Sequence, residues 1–256
     1  MFDTHCHLND DALFSRRKEV IESAIRESGL KGFLCVGYDI ESSQKALQIA
    51  NEFPNVYAAV GIHPENIEGL SLSDIDTIKK MASDPKVIAI GEIGLDYHWT
   101  KETKDMQKAF FEAQIKLADE LSLPATIHVR DAVEDAYEIL SKHPIKNNFS
   151  LHCYSGSKEM MEKFIKRFDC YFGFDGPVTF KNAVSPKENS SLCPIDRILL
   201  ETDSPYLAPS PFRGKENEPK YLRYIAETIA DLRGVGYEEF VDKTDNNAAR
   251  LFHVEL

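Results

Sequence analysis

The stretch "DTHCH" at residues 3–7 sets His5 and His7 two positions apart. Imidazole is the commonest protein ligand for a transition metal. In an extended strand residues i and i+2 share a side, so both rings can aim one way while Cys6 turns the other. More groups of this kind follow. His63 lies in "AAVGIHP", His128 in "ATIHVRDA" and His152 in "SLHCYSG", while Glu92 lies in "VIAIGEIGLDY" and Asp203 in "ILLETDSPY". Each falls toward the C-terminal side of an apolar run. A lone histidine on a strand is usually a satisfied structural residue. Five histidines and two carboxylates at corresponding strand ends point instead to one shared site. Imidazole and carboxylate without thiolate suit Zn, Mn, Fe or Mg in a catalytic centre. Six ligands exceed what one catalytic zinc uses; they suit two ions roughly 3.5–4 Å apart with a shared carboxylate. The same period of two pairs His128 with Arg130 and Glu201 with Asp203. Glu201 then lies one layer deeper, either orienting a ligand or forming a purely structural ion pair.

Some framework must bring these residues together. Eight short apolar runs recur, near 1–6, 32–37, 56–62, 87–92, 125–130, 149–153, 170–175 and 197–203. Several are nearly continuous in apolar character, as in parallel strands buried on both faces. Helical patterns lie between them. Val20, Ile21, Ala24 and Ile25 form a stripe over 16–28 that stops at Ser28-Gly29. Ala46, Leu47, Ala50 and Phe53 mark 42–53, Ile75, Ile78 and Ala82 mark a third helix, and Phe110, Ala113, Leu117 and Leu121 mark the longest over 103–121. "RDAVEDAYEIL" opens with Asp131 and Glu134 at capping-box spacing, and Ser157 is placed to cap "SKEMMEKFIKRF". "EPKYLRYIAETIADLRG" has Pro219 near its first turn and ends at Gly234. Residues 177–196 give the weakest helical pattern. Met160, Met161, Phe164 and Phe168 read as core-facing. Eight strands alternating with helices indicate an α/β TIM (β/α)8 barrel forming a single domain over residues 1–256; a doubly wound open sheet is the rival. Barrel active sites sit at the C-terminal strand ends, because those ends ring one small mouth.

Composition narrows the function. The chain has 256 residues, 43% of them hydrophobic, enough for a sizeable core. Its net charge of −12 argues against a broad basic face for duplex nucleic acid, though not against local binding through metal ions and a few cations. The five cysteines are scattered and odd in number, which fits a cytoplasmic protein with reduced thiols. No apolar run reaches membrane-spanning length, and no signal segment opens the chain. His143 and His253 receive no role.

The blocks "DTHCHL", "GEIGLDY", "IHVRDA", "LHCYSG", "LLETDSPYLAP" and "RGKENEP", with the closing "TDNNAARLFHV", resemble the TatD family of metal-dependent deoxyribonucleases, related to the amidohydrolase-like barrels. The resemblance covers nearly the whole chain. It implies a hydrolase that cleaves phosphodiester bonds with two divalent metal ions (Zn, Mg or Mn). The implied substrate is DNA, single-stranded or at ends, with no obligate protein partner. By position, it places His5 and His7 on the first metal, His128 and His152 on the second, Glu92 between them, and Asp203 on the first metal and the attacking water. A hydroxide bridging the metals would attack phosphorus, with Asp203 relaying the proton. His63 stands outside that six-ligand set; a phosphate contact, a leaving-group acid or a structural hydrogen bond all suit it. Arg130 suits neutralisation of phosphate charge. Arg213 and Lys215, in the loop after strand eight, are expected to touch substrate or shape the mouth, and Asn217 to hold either that loop or the substrate; a solvated surface loop is the bland reading. Tyr97, His98 and Trp99 cluster near the mouth, for loop packing or base stacking. The alternative function is hydrolysis of small-molecule esters, lactones or amides on the same barrel. A metal-stabilised binding protein is a third reading, disfavoured by the complete ligand set.

Overall fold

The computed structural model describes residues 1–99 and 101–256. Eight parallel strands form one sheet in chain order: β1 Phe2–Cys6, β2 Gly32–Val36, β3 Val56–Val60, β4 Val87–Asp96, β5 Ala125–Arg130, β6 Phe149–Leu151, β7 Tyr171–Phe174 and β8 Ile198–Leu200. Every residue of β1, β2, β7 and β8 is buried, because one face packs into the barrel and the other beneath helices. The two ends of the sheet meet beyond β8, where Asp203 N–H donates to His5 O (2.9 Å) and His7 N–H to Ser204 O (2.7 Å). The fold is therefore the expected TIM barrel and not the open doubly wound sheet.

Among the described residues ten α-helices surround it: α1 Asp11–Phe14, α2 Arg17–Ser28, α3 Ile40–Glu52, α4 Ile75–Met81, α5 Lys104–Leu121, α6 Val133–Lys142, α7 Lys158–Arg167, α8 Ser185–Leu192, α9 Leu222–Arg233 and α10 Tyr237–Phe252. Their ends follow local chemistry. Helix α2 stops at Gly29 and α9 at Gly234, both left-handed (φ 63° and 65°). Ser157 caps α7 by accepting from Met160 N–H. Met160, Met161 and Phe164 on α7 are buried in the core. The weak segment 177–196 holds only short helical pieces, including the eight residues of α8.

The expected capping box at Asp131 and Glu134 is not formed. Helix α6 starts after Ala132 without a side-chain cap. Asp131 turns away at φ 54°, and its carboxylate meets His98 Nδ1 at 3.1 Å. The closing motif lies in α10 and ties the base of the barrel. Asp245 Oδ1 accepts from Phe2 N–H at 2.9 Å, and Asn247 Nδ2 donates to the Ile195 and Ile198 carbonyls, each at 2.8 Å.

Strand β4 runs four residues past Glu92, where the sequence pattern places its end. Its register against β5 shifts between the Ile90–Ala125 and Ile93–Ile127 pairs, a bulge with one extra residue on β4. Bulges re-aim side chains, and this one carries Glu92. A Cβ on Gly91 would lie 2.2 Å from Thr126 Cγ2 and 2.6 Å from Thr126 O, so no side chain fits there. No described helix is long and apolar enough to cross a membrane.

Candidate metal centre

Glu92 stands at the middle of the mouth, buried, with its two oxygens facing different histidines. Oε2 lies 3.6 Å from His5 Nε2 and 3.8 Å from His7 Nε2. Oε1 lies 3.1 Å from His128 Nδ1 and 3.6 Å from both His63 Nε2 and His152 Nε2. Asp203 Oδ1 closes the ring, 3.3 Å from His7 Nε2 and 3.9 Å from His5 Nε2 and His152 Nε2. Cys6 points away as alternation demands; it is fully buried, with its thiol toward Leu34 O.

The outer nitrogens fix which lone pairs face the centre. His7 Nδ1 meets the Val36 carbonyl at 2.8 Å, His152 Nδ1 meets Glu201 Oε1 at 3.1 Å, and His128 Nε2 meets Asp96 Oδ2 at 3.0 Å. Those partners only accept, so each outer nitrogen carries a proton, and the inner nitrogen is the one turned toward the centre. His5 Nδ1 has the Thr126 hydroxyl at 3.2 Å, and its buried Nε2 has no hydrogen-bond partner. A buried polar atom left unpaired is costly unless something absent from the coordinates engages it. His63 is the reverse case. Its Nδ1 accepts from Glu65 N–H at 3.2 Å, so its proton sits on Nε2 and points at the centre. Three rings, His7, His128 and His152, thus have their inner nitrogens set toward the centre by an outer acceptor, whereas His63 presents a proton there.

Burial opposes charge on His7 and His152, yet Asp203 raises the first and Glu201 the second, well above the ordinary imidazole value in the case of His152. Burial opposes ionisation of Glu92, yet His63, His128 and His5 hold it well below the usual carboxylate range. Burial likewise opposes ionisation of Asp203, and His152 and His7 bring it below its ordinary value. Burial lowers His5, and it drives His63 down to about 3. Burial works against His128 too, but hydrogen bonds with Asp96 and Glu92 carry it up to about 9. The buried carboxylates are balanced here by the imidazoles around them, a charge that divalent cations would supply when bound. Three groups bring ligand atoms within 4.8 Å of one another: His5, His7 and Glu92; His63, Glu92 and His128; and His5, His152 and Glu201. The donor set therefore fits divalent metal, with Glu92 shared between two clusters.

Glu201 is fully buried behind His152. Its Oε1 accepts from His152 Nδ1 and from Cys153 N–H at 2.6 Å. Space for its carboxylate exists only because residue 173 is glycine; a Cβ there would lie 2.2 Å from Glu201 Oε2. Of the two roles left open for Glu201, the contacts are those of an orienting group.

The expected substrate residues divide. Arg130 lines a cavity of about 390 Å³ that shares His128, His152 and Asp203 with the centre. Arg213 and Lys215 are exposed in their loop, with Arg213 over the Phe180 ring at 4.3 Å, and neither lines the described mouth cavities. Asn217, expected to hold the loop or the substrate, is fully buried and does the former. Its Nδ2 donates to the carbonyls of Thr202 (2.7 Å) and Tyr206 (2.6 Å), so it holds the loop that follows Asp203. His98 and Trp99 form an exposed rim, with Arg130 5.5 Å from the Trp99 ring. Sequence reasoning passed over Asp96, Tyr38, Glu65 and Tyr206. Asp96 had a signal: it follows Glu92 by four, on the same strand face, once β4 is seen to continue.

A parallel barrel whose mouth is ringed by imidazoles and carboxylates has the architecture of a metal-dependent hydrolase. Comparison with known proteins agrees. The family described as TatD related DNase matches residues 2–253. The metal-dependent hydrolase YabD of Bacillus subtilis (strain 168) is 44% identical over 255 residues, covering 99% of each chain. The 3'-5' ssDNA/RNA exonuclease TatD of Salmonella typhimurium (strain LT2) is 35% identical over 262 residues, again covering 99% of each. Among solved structures, the TatD homologue YJJV of Escherichia coli K12 superposes with a TM-score of 0.94 at 26% identity, covering 100% of this chain and 98% of its own. The chain belongs to the TatD family of metal-dependent hydrolases.

Proposed function

We propose that this chain is a nuclease that removes nucleotides from an end of single-stranded DNA, using two divalent metal ions. The observation that carries it is the division of Glu92: one oxygen faces His5 and His7, the other faces His128 and His152. His5, His7 and Asp203 would hold one ion, His128 and His152 the other, and Glu92 both. Two such ions, when bound, polarise a phosphodiester and make a water molecule a competent nucleophile near neutral pH.

The remaining steps belong to the chain. Asp203, the carboxylate at the edge of the ring, takes the proton that the attacking water gives up. His63 presents Nε2–H and donates to a phosphate oxygen or to the departing oxygen; the Glu65 amide keeps it in that tautomer. Arg130, on the rim, offsets phosphate charge. Asp96 and Glu201 hold His128 and His152 in register for their ions. The continuous eight-stranded sheet supports treating residues 1–256 as one domain.

The test is direct. End-labelled single-stranded DNA with Mg or Mn should shorten stepwise, and Glu92→Ala should abolish shortening. DNA left intact with every metal, while small esters or lactones are hydrolysed, would transfer the same centre to the small-molecule reading.

A further inference from the structure

The mouth has two halves of opposite character. One is a cavity of about 310 Å³ over β1–β3, lined beside the centre by Tyr38, Glu65, Asn66 and Tyr206. The other lies over β5–β8 and is lined by Arg130, Ser155 and Leu207. His128, His152 and Asp203 border both. The first half carries negative charge. Glu65 lines it and lies against Asp96, whose Oδ2 takes His128 Nε2 at 3.0 Å. Asp10 sits at the same rim, taking the Tyr206 hydroxyl at 2.7 Å. Lys45, the cation acting on Tyr38, is held by Asp11 and Glu41, each at 3.1 Å. The second half has Arg130 against Trp99, with Arg213 farther out over Phe180.

A nucleic-acid strand is a regular polyanion, so its phosphates are better matched to the half that holds Arg130. What reaches the acidic half is what has run out of phosphates. We infer that the Tyr38–Glu65 cavity takes the terminal nucleoside of the strand, and that Glu65 admits an end with a free hydroxyl and rejects one bearing a further phosphate. This rests on the nuclease reading proposed above. The chemistry suits both parts of a nucleoside. Tyr38 and Tyr206 flank His7, with ring centroids 5.5 and 5.8 Å from the imidazole, and Tyr206 is 48% exposed, leaving ring surface for a base. A sugar hydroxyl can donate to the Glu65 carboxylate, whereas a terminal phosphate dianion there meets like charge. Such a pocket also accounts for attack at an end, because an internal nucleotide would carry its next phosphate into the same carboxylate.

Four single-stranded oligonucleotides of one sequence test this, ending in 3'-hydroxyl, 3'-phosphate, 5'-hydroxyl or 5'-phosphate, each labelled at the opposite end. They are incubated with Mn at low ionic strength and first cleavage is timed for wild type, Glu65→Gln and Glu65→Lys. At the end the enzyme attacks, a terminal phosphate should slow wild type about tenfold. Glu65→Gln should lose most of that ratio, and Glu65→Lys should bring it to unity or reverse it, a gain that a misfolded variant cannot give. Added salt should shrink the wild-type ratio. Equal wild-type rates, or a ratio unchanged in both variants, overturns the inference while leaving the nuclease reading intact. If no oligonucleotide is shortened at either end, the nuclease reading falls and the inference with it.

Discussion

Glu201→Gln separates an orienting role from a structural one. In the native chain Glu201 Oε1 accepts from His152 Nδ1 at 3.1 Å and from Cys153 N–H at 2.6 Å, and Oε2 faces the Thr4 hydroxyl at 3.5 Å. Glutamine keeps the volume and one acceptor oxygen but removes the charge. A hydrogen bond to a charged group is worth about 1.5–3 kcal/mol, and each 1.4 kcal/mol is tenfold in an equilibrium constant. Loss of the charge should therefore weaken the ion held by His152 about 10–100-fold, the range typical of outer partners of metal ligands. The metal-free fold also loses the buried Glu201–His152 pair, so metal affinity and not stability separates the roles. Isothermal titration with Mn should show one site weakened and the other nearly unchanged. Gly173→Ala supplies an independent route to the same defect, since its Cβ would displace Glu201 Oε2 from 2.2 Å away. Unchanged affinity at both sites in Glu201→Gln, or a large drop in chelator melting temperature with affinity intact, would refute the orienting role.

Three further outcomes are expected. Asn217→Ala removes the donor to two carbonyls in the loop after Asp203 and should destabilise by about 2 kcal/mol, roughly 4–8 °C in melting temperature; a variant that melts with wild type contradicts this. Burial opposes ionisation of Glu218, but Lys220 and Arg16 hold its pKa below the ordinary 4.5. Its contribution is thus fully present above about pH 4.5 and lost as pH falls through the depressed value, so the melting-temperature gap between wild type and Glu218→Gln should close on acidification. Chelation should lower the melting temperature: metal at 100 times its Kd contributes about 2.7 kcal/mol, or roughly 5–10 °C, and adding Mn or Zn back should restore it.

The barrel was legible because parallel strands buried on both faces leave apolar runs that no amphipathic helix imitates, and β2, β3 and β5 begin where those runs begin. The histidines were legible because period-two alternation and the strand ends confine them to one mouth. Contacts made through backbone were not. The Val36 carbonyl that sets the His7 tautomer and the Glu65 amide that sets the opposite one in His63 leave no mark in side-chain spacing. Loop direction was hidden as well. Nearness to Asp203 in the chain placed Arg213 and Lys215 at the substrate, yet the loop turns both outward, and of the two roles open to Asn217 it is the holding of the loop that burial selects. Asp96 escaped because the bulge at Gly91 and Glu92 lets β4 continue where its pattern looks finished.

The most direct measurement is anomalous diffraction from crystals grown with Mn, joined to the metal content of the same protein in solution. Two anomalous peaks are predicted, one against His5, His7 and Asp203 and one against His128 and His152, with Glu92 between them and about two ions per chain. A single peak, or two peaks that do not share Glu92, would contradict the two-ion centre.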